Sequence, residues 1–336
     1  MSGEAVSRSL FYSCPRCRGG VEREGEAYRC ERCQATYPVV IGIPDFRIFP
    51  DPWIGLEEDR AKAERLQSLI GDATLEDAVR TYWEITPETP RALAERFVRG
   101  VLASGAEARE WLGTVEEAGP AGVTRPWLDI GCGTGALVAA ASQRGAEIVG
   151  IDIALRWLVV ARRRTGVRSE QLVCGNGEHL PFANAQFGRV FSVSTLEHCR
   201  DAGAVMREGH RVLGGGGTMH VKTTNRFTLL PEPHVHVWGV GFLPRRWADG
   251  YVRWRSGQRY VHHRPFSASE LRASMKAAGF RDVRVMPSPL LPGERGRLGS
   301  ALRLAGRLYE WMRRAPVVRR GVRWVAPLLD ARGVAA

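Results

Sequence analysis

The stretch Trp127-Leu128-Asp129-Ile130-Gly131-Cys132-Gly133-Thr134-Gly135 constrains this chain more than any other. Four residues with the character of a buried strand run into three glycines at alternate positions. Ala136 to Gln143 then reads as a helix. Glycine takes a positive φ readily, and its missing side chain lets a backbone come close to a ligand. The helix start beyond it offers unpaired N–H groups to a polar or anionic ligand end. A second apolar run, Glu147-Ile148-Val149-Gly150-Ile151-Asp152, ends in an acid roughly twenty residues on. Strand, glycine loop, helix, strand, acid is the layout of nucleotide-type cofactor sites, where the carboxylate accepts hydrogen bonds from ribose hydroxyls. The expected fold class is α/β, with a doubly wound sheet.

The third glycine falls one residue earlier than in the GxGxxG of NAD enzymes. Leu128 to Gly135 instead resembles motif I of the class I S-adenosylmethionine (SAM)-dependent methyltransferases, of the UbiE-like methyltransferase-11 group. Gly150-Ile151-Asp152-Ile153 resembles the ribose-binding end of that family's second strand. Gly175-Asn176-Gly177-Glu178-His179-Leu180-Pro181-Phe182 resembles its adenine loop. Phe187 to Val190, Thr195-Leu196-Glu197-His198, Glu208, Arg211 to Leu213 and Gly214 to Gly217 are similar to its fourth strand, helix and fifth strand. The resemblance implies a Rossmann-like seven-stranded sheet, SAM as methyl donor and release of S-adenosylhomocysteine.

It also implies a cofactor set: Asp129, Gly131, Cys132, Gly133, Gly135, Asp152, Ile153, Asn176, Gly177, Glu178, Leu180 and Ser194. Asp129 would stand near the cofactor's ammonium and Asp152 on both ribose hydroxyls. Ile153 and Leu180 would sandwich the adenine. Asn176 stands where the family more often has Asp, and its amide oxygen would accept from the adenine amine.

Cys14-Pro15-Arg16-Cys17 and Cys30-Glu31-Arg32-Cys33 are two CxxC knuckles. Each turns two thiolates toward one ion, and two together complete a tetrahedral S4 zinc site. Gly19-Gly20 and Tyr28 suggest a hairpin between them, so residues 1–50 read as a zinc ribbon with structural Zn2+. This unit resembles the small zinc-ribbon leaders of some bacterial methyltransferases. Thiols used this way fit a reducing cytoplasm better than disulfides. No apolar run is long enough for a membrane span, and the first residues lack a signal-peptide pattern.

Residues 51–120 read as a helical bridge or lid, with an N-cap at Thr74 and apolar spacing from Arg91 to Leu102. Tyr82 or Trp83 lines the cofactor pocket or simply packs between helices. Gly119 to Pro126 is the linker into a core domain spanning 121–290. Ser267 begins a late helix that ends at Gly279-Phe280, and Asp282 to Val285 reads as a strand.

The net charge of +12 favours an anionic partner, although arginine-rich composition alone would also produce it. The insertion 226–266 interleaves histidine, tryptophan and arginine. Its arginines are expected around a pocket for an anionic, amphipathic substrate, and the same mixture suits RNA. His198, beside the expected methyl position, and His234, His236 and Tyr260 in the insertion are the candidate catalytic residues. His234 and His236 alternate as on a strand, so they share a face as bases or metal ligands, yet no acid is spaced to complete a metal site. Residues 291–336 form a basic C-terminal segment with an amphipathic helix from Arg297 to Arg314. That helix either docks on the protein itself or rests on an anionic membrane.

These readings converge on methyl transfer to a small or lipid-like biosynthetic substrate. Methylation of rRNA or tRNA and a non-catalytic SAM-binding partner protein are the alternatives.

Overall fold

The computed structural model describes residues 12–116, 125–166, 171–290 and 300–336. The linker from Gly119 to Thr124, the helix start at Arg297 and the first eleven residues lie outside them. A seven-stranded mixed sheet forms the centre. Its strands are β5 (Trp127–Ile130), β6 (Ile148–Asp152), β7 (Leu172–Cys174), β8 (Phe187–Val193), β9 (Leu213–Thr224), β10 (Arg281–Pro287) and β11 (Leu328–Val334). Across the sheet they run β7-β6-β5-β8-β9-β11-β10. Strands β7 through β9 pair in parallel, and β11 lies antiparallel between β9 and β10. Chain order reverses at β5, so a crevice opens beyond the ends of β5, β6 and β8, where open α/β sheets place ligands. The sequence reading ended the core at 290. The sheet corrects that boundary, because β11 belongs to it, with Leu329, Ala331 and Gly333 buried along one face.

Helix α4 (Ala136–Ser142) follows the glycine loop and α5 (Leu155–Thr165) follows β6. Gly135 has φ +74°, and a side chain there would meet Ala161 and Thr165 of α5 at about 3 Å, so glycine lets the two helices close. Helix α6 (Ala202–Val212) is capped by Asp201, α7 (Arg245–Ser256) lies in the insertion, and α8 (Ala268–Ala277) begins with a capping box between Ser267 and Glu270. The bridge is three helices: α1 (Leu56–Ile70), α2 (Leu75–Glu84) capped by Thr74, and α3 (Arg91–Glu116). The last runs well past the expected Leu102. Tyr82 packs on Trp157 and Trp83 stacks on Phe97, so both serve helix packing and neither lines the main cavity.

Strands β1 (Val21–Glu24), β2 (Ala27–Cys30), β3 (Thr36–Val40) and β4 (Ile43–Pro44) make the N-terminal sheet. It is fused to the core. Phe46 N–H donates to Cys174 O at 2.8 Å, and Ser13 N–H to Pro181 O at 3.0 Å. Tyr12, Tyr28 and Tyr37 all pack on the fully buried Phe46, and Tyr12 also meets Phe182. Arg18 reaches the core carboxylate Glu208 at 2.7 Å.

Where the N-terminal sheet, α1 and α5 meet, a buried charge network closes. Asp59 accepts from Arg47 at 2.6 Å, from Arg156 at 2.6 Å and from Leu155 N–H at 2.9 Å. Arg47 also pairs with Asp45, and Arg156 with Asp51. All these side chains are almost completely buried. Removing one member leaves an uncompensated buried charge, which typically costs about 3–5 kcal/mol. Asp59→Asn is expected to lower the unfolding free energy by about that amount in urea titrations; a loss below about 1 kcal/mol would show the network to be dispensable.

Candidate active site

The crevice holds two adjoining cavities that share Gly131, Gly133 and Ser194. The first, about 330 Å³, is walled by Ile151, Asp152, Ile153, Gly175, Gly177 and Glu178 on the core side. Phe49, Trp53 and Trp157 contribute aromatic walls, and His198, Arg200 and His262 close the far side. The second, about 390 Å³, contains Asp129, Cys132, Thr134, Trp111 and Lys222. Together they fall in the range of ligand pockets.

Asp152 ends β6. Its Oδ2 accepts from Gly133 N–H and its Oδ1 from Ala154 N–H, both at 2.8 Å. These bonds fix the carboxylate at the glycine loop, with lone pairs left for a ligand's hydroxyls. Gly131 has φ +77°, and a Cβ there would lie 2.2 Å from Thr195 Oγ1, so only glycine fits. Ser194 sits at φ +52° where β8 leaves the sheet.

Asp129 is buried with Oδ1 unpartnered among the described residues. Burial, together with the charge of Asp152, pushes its carboxyl up to about 8. Lys222, itself buried, lines the same cavity. An unpaired acid and a buried cation in one cavity complement a zwitterion, as the amino-acid end of SAM is. Lys222 was not singled out from sequence because its neighbours read only as strand.

Three of the expected cofactor residues have other work. Asn176 accepts from Ile48 N–H at 2.8 Å and Phe49 N–H at 3.4 Å, and donates to Phe49 O at 3.1 Å. It holds the segment that carries Phe49 and is committed there, not to an adenine amine. Leu180 is wholly buried in the core cluster; Ile153 faces the cavity without it. Gly135 spaces α4 from α5. Glu178 faces the cavity and accepts from Arg200 N–H at 3.0 Å.

The histidines divide differently from the sequence expectation. His234 and His236 lie in a turn, not a strand. His236 has φ +55°, is exposed and contacts Arg96. His234 joins His198 and the unforeseen His263, with ring centroids 4.3–5.0 Å apart. Glu232 Oε1 lies 2.6 Å from His234 Nδ1. Burial works to lower His234, but the Glu232 bond outweighs it and the pKa rises. Burial lowers His198, and burial with the two neighbouring imidazoles lowers His263 to about 4. Tyr260 lies beside Glu232 in a small separate hollow, and burial there raises its pKa. Arg246, Arg253, Arg255 and Arg259 of the insertion are exposed and do not surround the main cavity, contrary to expectation.

The four cysteines meet as expected. Their sulfurs lie within 4.8 Å of one another, with Cys14–Cys33 at 3.6 Å and Cys17–Cys30 at 3.5 Å. A tetrahedron of 2.3 Å Zn–S bonds has sulfur separations of about 3.8 Å, so the set fits zinc. Burial acts to raise the Cys14 thiol, but hydrogen bonds from Tyr37 and the backbone overcome it and bring it to about 6, favouring thiolate.

Residues 128–221 match the family model described as a methyltransferase domain. This core is a class I SAM-dependent methyltransferase domain. Over 155 residues the chain is 32% identical to a biotin biosynthesis bifunctional protein of Cellvibrio japonicus, covering 46% of this chain and 28% of that one. Over 156 residues it is 32% identical to a ubiquinone biosynthesis O-methyltransferase of Azorhizobium caulinodans, covering 46% and 57%. The chain thus spans 28% to 57% of the length of these two relatives. A SAM-dependent methyltransferase structure from Thermotoga maritima aligns at 19% identity and TM-score 0.47, covering 72% of this chain and 95% of that one.

The methyltransferase domain makes a prediction at Asp129. Its raised pKa leaves it protonated at pH 6.5 in the free protein, and an arriving ammonium favours the carboxylate. Calorimetric titration with SAM at pH 6.5, in buffers of different ionisation enthalpy, is expected to show release approaching one proton. Asp129→Asn should abolish that release; equal release by both proteins would remove Asp129 from the ammonium site.

Proposed function

We propose that the protein transfers the methyl group of SAM to a small-molecule or lipid-like biosynthetic acceptor. The observation that carries this reading is the paired cavity. One half joins a fixed carboxylate, Asp152, to aromatic walls, and the other sets Asp129 and Lys222 in one space. Asp152 would hold the ribose and Ile153 with Phe49 would flank the adenine. Asp129 and Lys222 would hold the two charges of the amino-acid end. SAM supplies an electrophilic methyl on a sulfonium. The protein's task is then to align an acceptor with it and keep water out. We read the four-cysteine site as structural zinc, since four thiolates leave it no open position.

His198 faces the donor cavity and stands against His234 and His263, so we place the acceptor on that side. A neighbouring hollow of about 280 Å³ is lined by Arg200, Arg245 and Arg264 and also by Asp201 and Glu270; Arg245 pairs with Glu270, so Arg200 and Arg264 would meet an anionic group of the acceptor. The relatives named for biotin and ubiquinone biosynthesis accord with a small-molecule acceptor.

The C-terminal helices favour a lipid-like one. Helix α9 (Ser300–Arg314) presents Leu304, Leu308 and Trp311, spaced four and three residues apart, to solvent at 70%, 54% and 62% exposure. It turns Glu310 inward, where Glu310 accepts from Leu290 N–H. Tyr309 OH also donates to Ser288 O at 2.6 Å, so the helix docks on the domain through polar contacts and leaves apolar side chains in solvent. Arg307, Arg314 and Arg320 are exposed nearby, the last on α10 (Pro316–Val325), beside exposed Val317 and Trp324. Apolar side chains flanked by cations suit an anionic membrane surface. No described helix is long and apolar enough to cross a membrane.

Protein incubated with methyl-tritiated SAM and a total cell extract is expected to label the organic-soluble or small-metabolite fraction. His198→Ala should reduce that labelling by about 100-fold or more, within the range of a lost proton-transfer or positioning group. Label recovered in RNA would overturn the acceptor class.

A further inference from the structure

We propose that His198, His234 and His263 form a second metal site, for a divalent transition metal of the zinc class, open toward the methyl-donor cavity. The site stands on geometry. One ring nitrogen from each histidine lies within 4.8 Å of the others. His263 Nδ1 and His198 Nδ1 are 3.2 Å apart. Two imidazole nitrogens on one tetrahedral zinc, at bonds of about 2.0–2.1 Å, lie about 3.3 Å apart, so this spacing is that of co-ligands.

The ligands are held in place from behind. Glu232, 5% exposed, engages His234 Nδ1 at 2.6 Å and takes the backbone N–H groups of His234 and Val235 at 2.8 and 3.0 Å. With Nδ1 committed to a carboxylate, Nε2 carries the lone pair that ligates, the arrangement that orients metal-bound histidines. Arg264 N–H donates to Glu197 O at 2.7 Å, tying the neighbour of His263 to the neighbour of His198. The Glu197 carboxylate is itself fixed by the hydroxyls of Thr223 and Thr224, so His198 is mounted on the end of β9.

Three imidazoles with a vacant fourth position make an open, catalytic type of zinc site, unlike the closed four-thiolate set. Of the three ligands His198 lines the donor cavity, next to His262, and joins the site to that side. The use of the metal rests on the methyl-transfer reading. An acceptor bearing a hydroxyl or other oxygen ligand would bind there and be held against the methyl group.

The test is zinc stoichiometry. Full-length protein, stripped with chelator, re-equilibrated with Zn2+ and desalted, is expected to retain two equivalents per chain by plasma mass spectrometry. His234→Ala and His263→Ala should each retain one, while His236→Ala, outside the cluster, retains two. One equivalent in the wild type, or two in both His234→Ala and His263→Ala, would overturn the site. The wild-type count needs no variant to fold. SAM binding measured on the same samples separates the two claims: one zinc with normal SAM uptake rejects the metal site alone, and two zincs without SAM uptake reject the donor reading alone.

Discussion

Asp59 is the carboxylate on which three separate segments close. It joins Arg47 from the end of the N-terminal sheet to Arg156 from the start of α5, and it sits on α1 itself. Such a cluster is costly to desolvate, so its worth lies less in net stability than in fixing one arrangement. The arrangement matters because Arg47 also donates to Ile153 O at 3.0 Å, and Arg156 and Asp51 both line the first cavity. The network thus borders the crevice on the side of Phe49 and Trp53, whose segment Asn176 also holds.

That dependence changes how the N-terminal module is understood. Read from sequence, it is a separate ribbon stapled by metal. In the structure its aromatic residues enter the same core as Phe182 and Leu180. A metal that orders the four cysteines would then also order Phe46, and through Asn176 the segment with Phe49. Loss of the metal should be felt in the cofactor cavity as well as in the ribbon.

Residues acting through local chain geometry were legible in sequence. The glycine loop, Asp152, the CxxC knuckles and the Thr74 and Ser267 caps each depend on a few neighbouring residues. What was not legible depends on contacts across the fold. Asn176 lies in a recognisable loop, but its partners are 127 and 128 residues away. His236 was paired with His234 by assuming a strand, whereas a turn at positive φ sends it outward. His263 carried no motif, and contacts far along the chain, among them Arg264 N–H to Glu197 O and its stacking on His234, bring it into the cluster. Strand β11 was hidden by Asp330 and Arg332 between its buried positions, although the alternation itself was a signal. The insertion's arginines suggested a pocket by composition, and the fold put most of them in solvent.

The central claim is that the crevice between β5 and β8 is built for an adenosyl sulfonium with a zwitterionic tail. Calorimetric titration of the metal-replete protein with SAM measures it most directly. The wild type is expected to bind one equivalent, and Asp152→Ala to bind at least about tenfold more weakly, consistent with losing hydrogen bonds to a charged acceptor. No uptake by folded wild-type protein, or unchanged affinity in a variant that melts as the wild type does, would contradict it.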